Sequence, residues 1–178
     1  MKLVHAPGYS IRVITPSTSD TEPVCEVTVA GAATSTVLDG AVLEAALTWK
    51  EYVLLFLTND VPFEDTLNIY LLDRHLNVAD YARMYFMYST GIFSHLDLTE
   101  DDTVRFEFLG EMTWTLKLFP EKKFAIPIVS APLGVHRPHT FFQRFQLSAH
   151  PAPKQSNQPG NQALPSRRAG RIRVTPKG

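Results

Sequence analysis

Two alternating runs joined by a short loop constrain this chain more than any other feature. Val104, Phe106 and Phe108 alternate with Arg105 and Glu107, the period-two pattern of a strand with one buried face. Met112, Trp114, Leu116 and Leu118 then alternate with Thr113, Thr115 and Lys117. Leu109, Gly110 and Glu111 lie between them, and the glycine is free to take the positive φ of a three-residue hairpin loop. Pairing Phe108 with Met112 sets Phe106 opposite Trp114 and Val104 opposite Leu116. All three pairs then share a face, so loop length and hydrophobic pattern select one register. Pro120 is expected to end the second strand, because it cannot donate to the ladder.

Other runs read as strands around this hairpin. Residues 9–15 stop at Pro16, and 24–29 lie between Pro23 and Gly31. Residues 52–58 are apolar at successive positions, which predicts a central strand covered on both faces. Residues 66–72 follow a turn-rich loop, and 141–147 alternate as a closing strand with Phe141, Phe145 and Leu147 inward. Two stretches are ambiguous. Residues 39–49 are rich in helix formers, but Val42-Leu43 and Ala45-Ala46 fit neither a helical nor a strand period. Residues 76–88 read either as a helix or, preferably, as a strand pairing back on 66–72 through Asp73, Arg74 and His75. The expected fold is mainly β, an antiparallel sandwich or curled sheet of about seven or eight strands with at most one short helix.

Charge divides the 178 residues unevenly. Residues 1–150 hold 11 Lys/Arg against 18 Asp/Glu, whereas 151–178 hold 6 Lys/Arg and no carboxylate. The second part also has five prolines, three glycines and no aromatic residue, too little apolar surface to offset the entropy of ordering. The chain therefore reads as an acidic β-rich domain over 1–150 and a basic, disordered tail over 151–178. A run at 171–175 alternates briefly and suits pairing with an exposed sheet edge. With 44% hydrophobic residues, the domain is long enough to bury a core without disulfides. A single cysteine, Cys25, excludes an internal disulfide framework. The longest apolar run is far short of a spanning helix and no leader is visible. The expectation is a soluble, cytoplasmic protein with no membrane attachment.

Several residues carry chemical potential. Cys25 shares a strand face with Val27 and reads as a packed thiol, with no histidine placed beside it as a base. His136 and His139 are separated by Pro138, so they lack the helix that would set two ligands on one face. Arg137 and these histidines read better as a polar patch. The acidic run 97–102 lacks the glycine and final glutamate of a calcium loop. No Gly-x-Ser-x-Gly elbow, phosphate-cradling glycine loop or Cys-x-x-Cys is present. The sequence thus points to no catalytic residue, metal or cofactor.

The function it favours is a non-enzymatic protein-binding module, of the immunity or adaptor and chaperone kind, docking a basic protein through an acidic surface. The carboxylates expected to do so are Asp60, Glu64 and Asp65 in one loop and Glu100, Asp101 and Asp102 in another. If the two loops share one end of the sheet, they make a single negative patch. A small-ligand-binding or hydrolytic β domain is the first alternative, requiring a concave site with at least two converging polar groups. A nucleic-acid-associated protein is the second, acting through Arg167, Arg168, Arg171, Arg173 and Lys177.

Overall fold

The computed structural model describes residues 2–61, 66–86, 91–110, 112–125, 132–138 and 141–151. Among these there is no helix, and thirteen strands form three antiparallel sheets that do not close. In chain order they are β1 (Val4–His5), β2 (Tyr9–Thr15), β3 (Val24–Val29), β4 (Ala32–Asp39), β5 (Val42–Trp49), β6 (Tyr52–Thr58) and β7 (Leu67–Leu72). There follow β8 (Val78–Met84), β9 (Ser94–Asp97), β10 (Thr103–Glu107), β11 (Met112–Phe124), β12 (Val135–His136) and β13 (Phe142–Pro151). A six-stranded sheet has the order β1-β5-β6-β7-β8-β12, a four-stranded sheet β13-β11-β10-β9, and a three-stranded sheet β2-β3-β4.

The six-stranded sheet is the middle of three layers. Every residue of β6 and β7 is buried, as the unbroken apolar run at 52–58 requires. Leu54 and Phe56 of β6, with Ile69 and Leu71 of β7, join Phe106, Trp114, Leu116 and Phe145 of the four-stranded sheet in one core. Val53, Leu55 and Leu57 point the other way and pack with Cys25, Val27 and Leu38 of the three-stranded sheet. A strand buried on both faces gains nothing from polar alternation, and its sequence accordingly shows none.

The hairpin forms in the expected register, with Phe106 opposite Trp114 and Val104 opposite Leu116. Leu109 and Gly110 both take positive φ, +63° and +76°. The buried Trp114 indole donates from Nε1 to the Phe108 carbonyl at 2.6 Å, so the large ring carries no unpaired donor into the core.

Two expectations change and two open readings are decided. Pro120 does not end its strand: β11 continues to Phe124, and the ladder with β13 shifts register between Leu118 and Lys123. A bulge there asks no donor of the proline. Residues 42–49 form a strand, and a register shift between Leu43 and Ala45 explains why they matched neither period. Glu44 is the extra residue, after which Ala45, Leu47 and Trp49 alternate inward. Residues 78–84 form the preferred hairpin with β7, closed by the Asp73 carboxylate, whose Oδ1 accepts from the amides of His75 (2.8 Å) and Asn77 (3.0 Å). Phe141 is not inward; it precedes β13 and is 58% exposed, leaving Gln143, Phe145 and Leu147 as the inward set. Beyond the eight segments anticipated, β1, β4, β5, β9 and β12 complete the count. The basic tail beyond Pro151 lies outside the described residues.

Candidate functional site

Strand registers fix where the two acidic loops stand. Thr58 pairs with Leu67, and Leu67 with Met84, so Asn59, Thr66 and Tyr85 gather at one end of the middle sheet. Phe86 lines a cavity there together with Leu109 and Gly110, which puts the β10–β11 turn at that same end. The β9–β10 turn is at the opposite end of β10. There Leu118 N donates to the Asp102 carbonyl at 2.8 Å, and Arg144 lies 5.0 Å over the ring of Tyr52, the first residue of β6. Asp60 and the Glu100–Asp101–Asp102 turn are therefore at opposite ends and form no common patch. Glu64 and Asp65 lie outside the described residues.

The β9–β10 turn binds its own cations. Arg105 donates from Nη2 to Glu100 Oε1 and stands 3.5 Å from Asp97 Oδ2, while Lys117 Nζ lies 3.8 Å from Asp102 Oδ2. Thr99, through its hydroxyl and amide, and Arg105 hold the Asp97 carboxyl below its ordinary pKa; Arg105 is the main cause of the same direction at Glu100. Asp101 is exposed in the same turn.

Asp60 borders a different arrangement. A polar cleft of about 510 Å³ opens between loop 17–23, which joins β2 to β3, and the end of the middle sheet, where Asn59, Val61, Thr66, Arg83 and Tyr85 line it. The loop is shaped by its hydroxyls: Thr18 N donates to the Thr21 carbonyl at 3.0 Å, and the two threonine hydroxyls are 2.7 Å apart. Asp20 and Glu22 stand in its wall, and Asp60 falls between the lining residues Asn59 and Val61 with φ +54°. Arg83 is the one cation among the described lining residues. Its guanidinium forks onto Glu22, Nη1 to Oε2 at 2.8 Å and Nη2 to Oε1. Burial works against the Arg83 charge, but the Glu22 carboxylate outweighs it and the net pKa is raised.

Behind the cleft runs a buried polar chain. Asn68 Nδ2 donates to Asn59 Oδ1 at 2.9 Å, and the Tyr81 hydroxyl donates to Asn68 Oδ1 at 2.8 Å. The Tyr81 ring stacks on Tyr70 at 4.6 Å, and the Tyr70 hydroxyl accepts from the Asp39 amide at 3.2 Å. Burial pushes both phenol pKa values up, so these hydroxyls remain protonated donors.

Cys25 and Arg137 are built into the packing of the fold, whereas His136 is not. Cys25 is fully buried beside Val27, and its thiol is pushed up to about 11 by burial and then by the Asp39 charge. His136 is exposed on β12, paired with Arg83 of β8, and His139 lies outside the described residues. Arg137 belongs to a buried clip. Its Nη1 donates to Asp80 Oδ1 at 2.9 Å and its Nη2 to the Phe145 carbonyl at 2.8 Å. Asp80 Oδ2 also accepts from the amides of Arg144 (2.6 Å) and Phe145 (3.1 Å), joining β8 of the middle sheet to β13 of the four-stranded one. Desolvation lowers the Arg137 pKa and Asp80 opposes that shift.

A second cavity of about 290 Å³, lined by Phe86, Met112, Trp114 and Leu133 among others, is apolar and has no titratable side chain among its described lining residues. Among the described residues, no three His, Cys, Asp or Glu side chains gather as a metal site, and no helix is long and apolar enough to cross a membrane.

Charge also divides more sharply than at residue 150. Residues 1–111 hold 6 Lys/Arg and 17 Asp/Glu, a balance of −11; residues 112–178 hold 11 and 1, a balance of +10. The change of sign falls at the β10–β11 turn. Searches against protein-family models, curated proteins and solved structures return no match for this chain.

Proposed function

We propose that this chain is a non-enzymatic protein-binding module that docks a basic partner in the cleft between loop 17–23 and the end of the middle sheet. The observation that carries the reading is the charge of that cleft. Asp20 and Glu22 line it, Asp60 sits in the chain between the lining residues Asn59 and Val61, and its one described cation, Arg83, is already held by Glu22. An incoming lysine or arginine meets the Asp20 carboxylate, hydroxyls from loop 17–23 and the Asn59 amide, with Asp60 close by. Focused negative potential of this kind accelerates the encounter of a cationic partner and rejects anionic ones. The β9–β10 turn contributes less, because Arg105 and Lys117 already occupy Glu100 and Asp102.

The test is fluorescence anisotropy of a labelled nona-arginine peptide with the full chain. Asp20→Asn with Asp60→Asn is expected to weaken binding about threefold to tenfold, in keeping with two partly exposed charge pairs, and added salt should weaken the wild type further. Glu100→Gln with Asp102→Asn should change it by less than twofold. Equal binding by the cleft variant and the wild type would remove the assignment.

A second reading rests on the same cleft. Glu22, Arg83, Tyr85 and Asn59 converge there, which also suits a small polar ligand. A polyamine such as spermidine that raises the melting temperature of the wild type, but not of Asp20→Asn/Asp60→Asn, would favour it.

A further inference from the structure

The β11–β13 ribbon runs on past the rest of its sheet. β10 faces β11 only as far as Lys117, opposite Thr103, whereas β11 and β13 remain paired out to Phe124 and Phe142. Ala125 N then donates to the Phe141 carbonyl at 2.9 Å. Residues 120–124 are all exposed, while on the other strand β13 runs only from Gln146 to Phe142 over the same stretch. About 13 Å of ribbon, bulged on its β11 side, therefore extends past the last pairing with β10 at the rise of extended chain. Three phenylalanines stand at its end: Phe124, Phe141 and Phe142 are 67%, 58% and 57% exposed. The Phe124 and Phe141 rings stack at 6.1 Å and 8°, and Phe142 meets Phe124 edge-on at 6.0 Å. Paired strands alone are marginal in water, and a contiguous aromatic cluster left in solvent marks a contact surface.

The surroundings of the rings identify what they meet. Lys122 and Lys123 are exposed beside them, Lys123 lying 3.8 Å over the Phe119 ring, and Arg144 stands at the ribbon's base. Glu121 is the single carboxylate of the chain after residue 111. The carboxylates of the β9–β10 turn, at the foot of the overhang, are engaged by Arg105 and Lys117. The cleft with Asp20, Glu22 and Asp60 is at the far end of the molecule. The described end of the ribbon is thus aromatic and cationic.

We propose that the ribbon tip is a peripheral docking site for an anionic lipid surface, with the three rings entering the headgroup boundary and Lys122 and Lys123 pairing with lipid phosphates. Its size favours lipid over protein. Three rings at these exposures present about 300–400 Å², well under the roughly 800 Å² per partner of a stable protein interface. A fluid interface needs no complementary groove, and aromatic rings beside lysines suit its depth and charge. Residues 152–178 add six Lys/Arg and no Asp or Glu, a second electrostatic attraction of the same sign. The lack of a long apolar run excludes a spanning helix and has no bearing on a contact of this kind.

The test is co-sedimentation of the full chain with vesicles of phosphatidylcholine containing 30% phosphatidylserine, beside pure phosphatidylcholine vesicles. Wild type should partition onto the anionic vesicles. Phe124→Ser/Phe141→Ser/Phe142→Ser should reduce the partition coefficient about tenfold or more at an unchanged melting temperature, since these rings leave the core intact. Lys122→Gln/Lys123→Gln should reduce it about tenfold on anionic vesicles only. Absence of partitioning overturns the proposal. So does partitioning that survives the serine replacements and disappears when Arg167, Arg168, Arg171, Arg173 and Lys177 are changed to glutamine, which would assign it to the tail alone. A concentration-dependent dimer abolished by the serine replacements would also overturn it, by assigning the rings to a second copy.

Discussion

The two faces of the middle sheet are covered by different materials. Towards the four-stranded sheet, Phe56, Phe93 and Phe106 pack ring on ring with centroids 5.2 to 5.5 Å apart, and Trp114 fills the space beside them. Towards the three-stranded sheet, the cover is Cys25, Val27 and Leu38, and the largest side chains are Tyr70 and Tyr81, whose hydroxyls lead through Asn68 to Asn59 and the cleft. One face is large and aromatic, with the Asp80–Arg137 clip across it; the other is thin and threaded by a polar chain. The contrast separates tasks: area removed from water concentrates on the first face, while the polar groups that open onto solvent depend on the second.

Removing Phe106 should therefore cost most. Phe106→Ala deletes a fully buried ring with two aromatic neighbours and is expected to lose about 3–5 kcal/mol in urea denaturation. Val27→Ala, fully buried on the other face, should lose about 2 kcal/mol. Equal losses would break the comparison.

The Asp80–Arg137 clip tests whether the first face also depends on a polar seam. The side chains retain 7% and 15% of their exposure, so Asp80→Ala strands a guanidinium away from water, at a cost of about 3 kcal/mol. Asp80→Ala with Arg137→Met should recover most of that loss, because an apolar pair leaves no charge unanswered. A double variant no better than the single one would mean that the amides of Arg144 and Phe145, rather than the ion pair, make the carboxylate necessary.

The first face was far more legible in the sequence than the second. The hairpin of β10 and β11 is local, alternates cleanly and has a glycine where the loop needs one, so its register follows from residues 104–118 alone. The unbroken apolar run of β6 likewise marked the middle layer. The second face depends on β4, where Ala32, Ala33, Thr34, Ser35 and Thr36 give no hydrophobic period and only Leu38 is deeply buried. Extra residues obscured the rest. One at Glu44 resets the alternation of β5, and three between Leu118 and Lys123 let β11 pass Pro120. The candidate cleft is half visible in the sequence: Asp60 stands in an acidic loop, but Glu22, in the β2–β3 loop, and Arg83, on β8, are 61 residues apart. Only the hydroxyl-rich stretch between Pro16 and Pro23 hinted at a built loop. Asp80, with partners 57 and 64 residues away, gave no local signal.

Tyr81→Phe sharpens the contrast on the second face. It takes the hydroxyl donor from Asn68 Oδ1, a side chain fully buried, and should cost about 1–2 kcal/mol. The first face offers no equivalent, since its rings are joined by packing alone apart from the Trp114 indole. The same substitution should weaken nona-arginine binding about twofold if Asn68 positions Asn59 at the cleft. Loss of stability with unchanged binding would confine the polar chain to a structural role.

The smallest effect should appear only in alkaline solution. Cys25 titrates near 11 in the folded chain against an ordinary value of 9.0, chiefly through burial and secondarily through Asp39. A folded pKa raised above the unfolded one contributes stability that is complete below pH 9 and is lost as pH rises towards 11, because only the unfolded chain then gives up its proton readily. Lysines and the tyrosines also titrate in this range, so the informative quantity is a difference. Wild type should lose more of its melting temperature between pH 9 and 11 than Cys25→Ala does, and the two curves should run parallel at neutral pH. Parallel curves throughout would place water beside the thiol and make the second face wetter than its packing suggests. A wild-type thiol alkylated by iodoacetamide at pH 8 only as fast as the chain unfolds would locate Cys25 behind the sheet, where Val27 and Leu38 close over it.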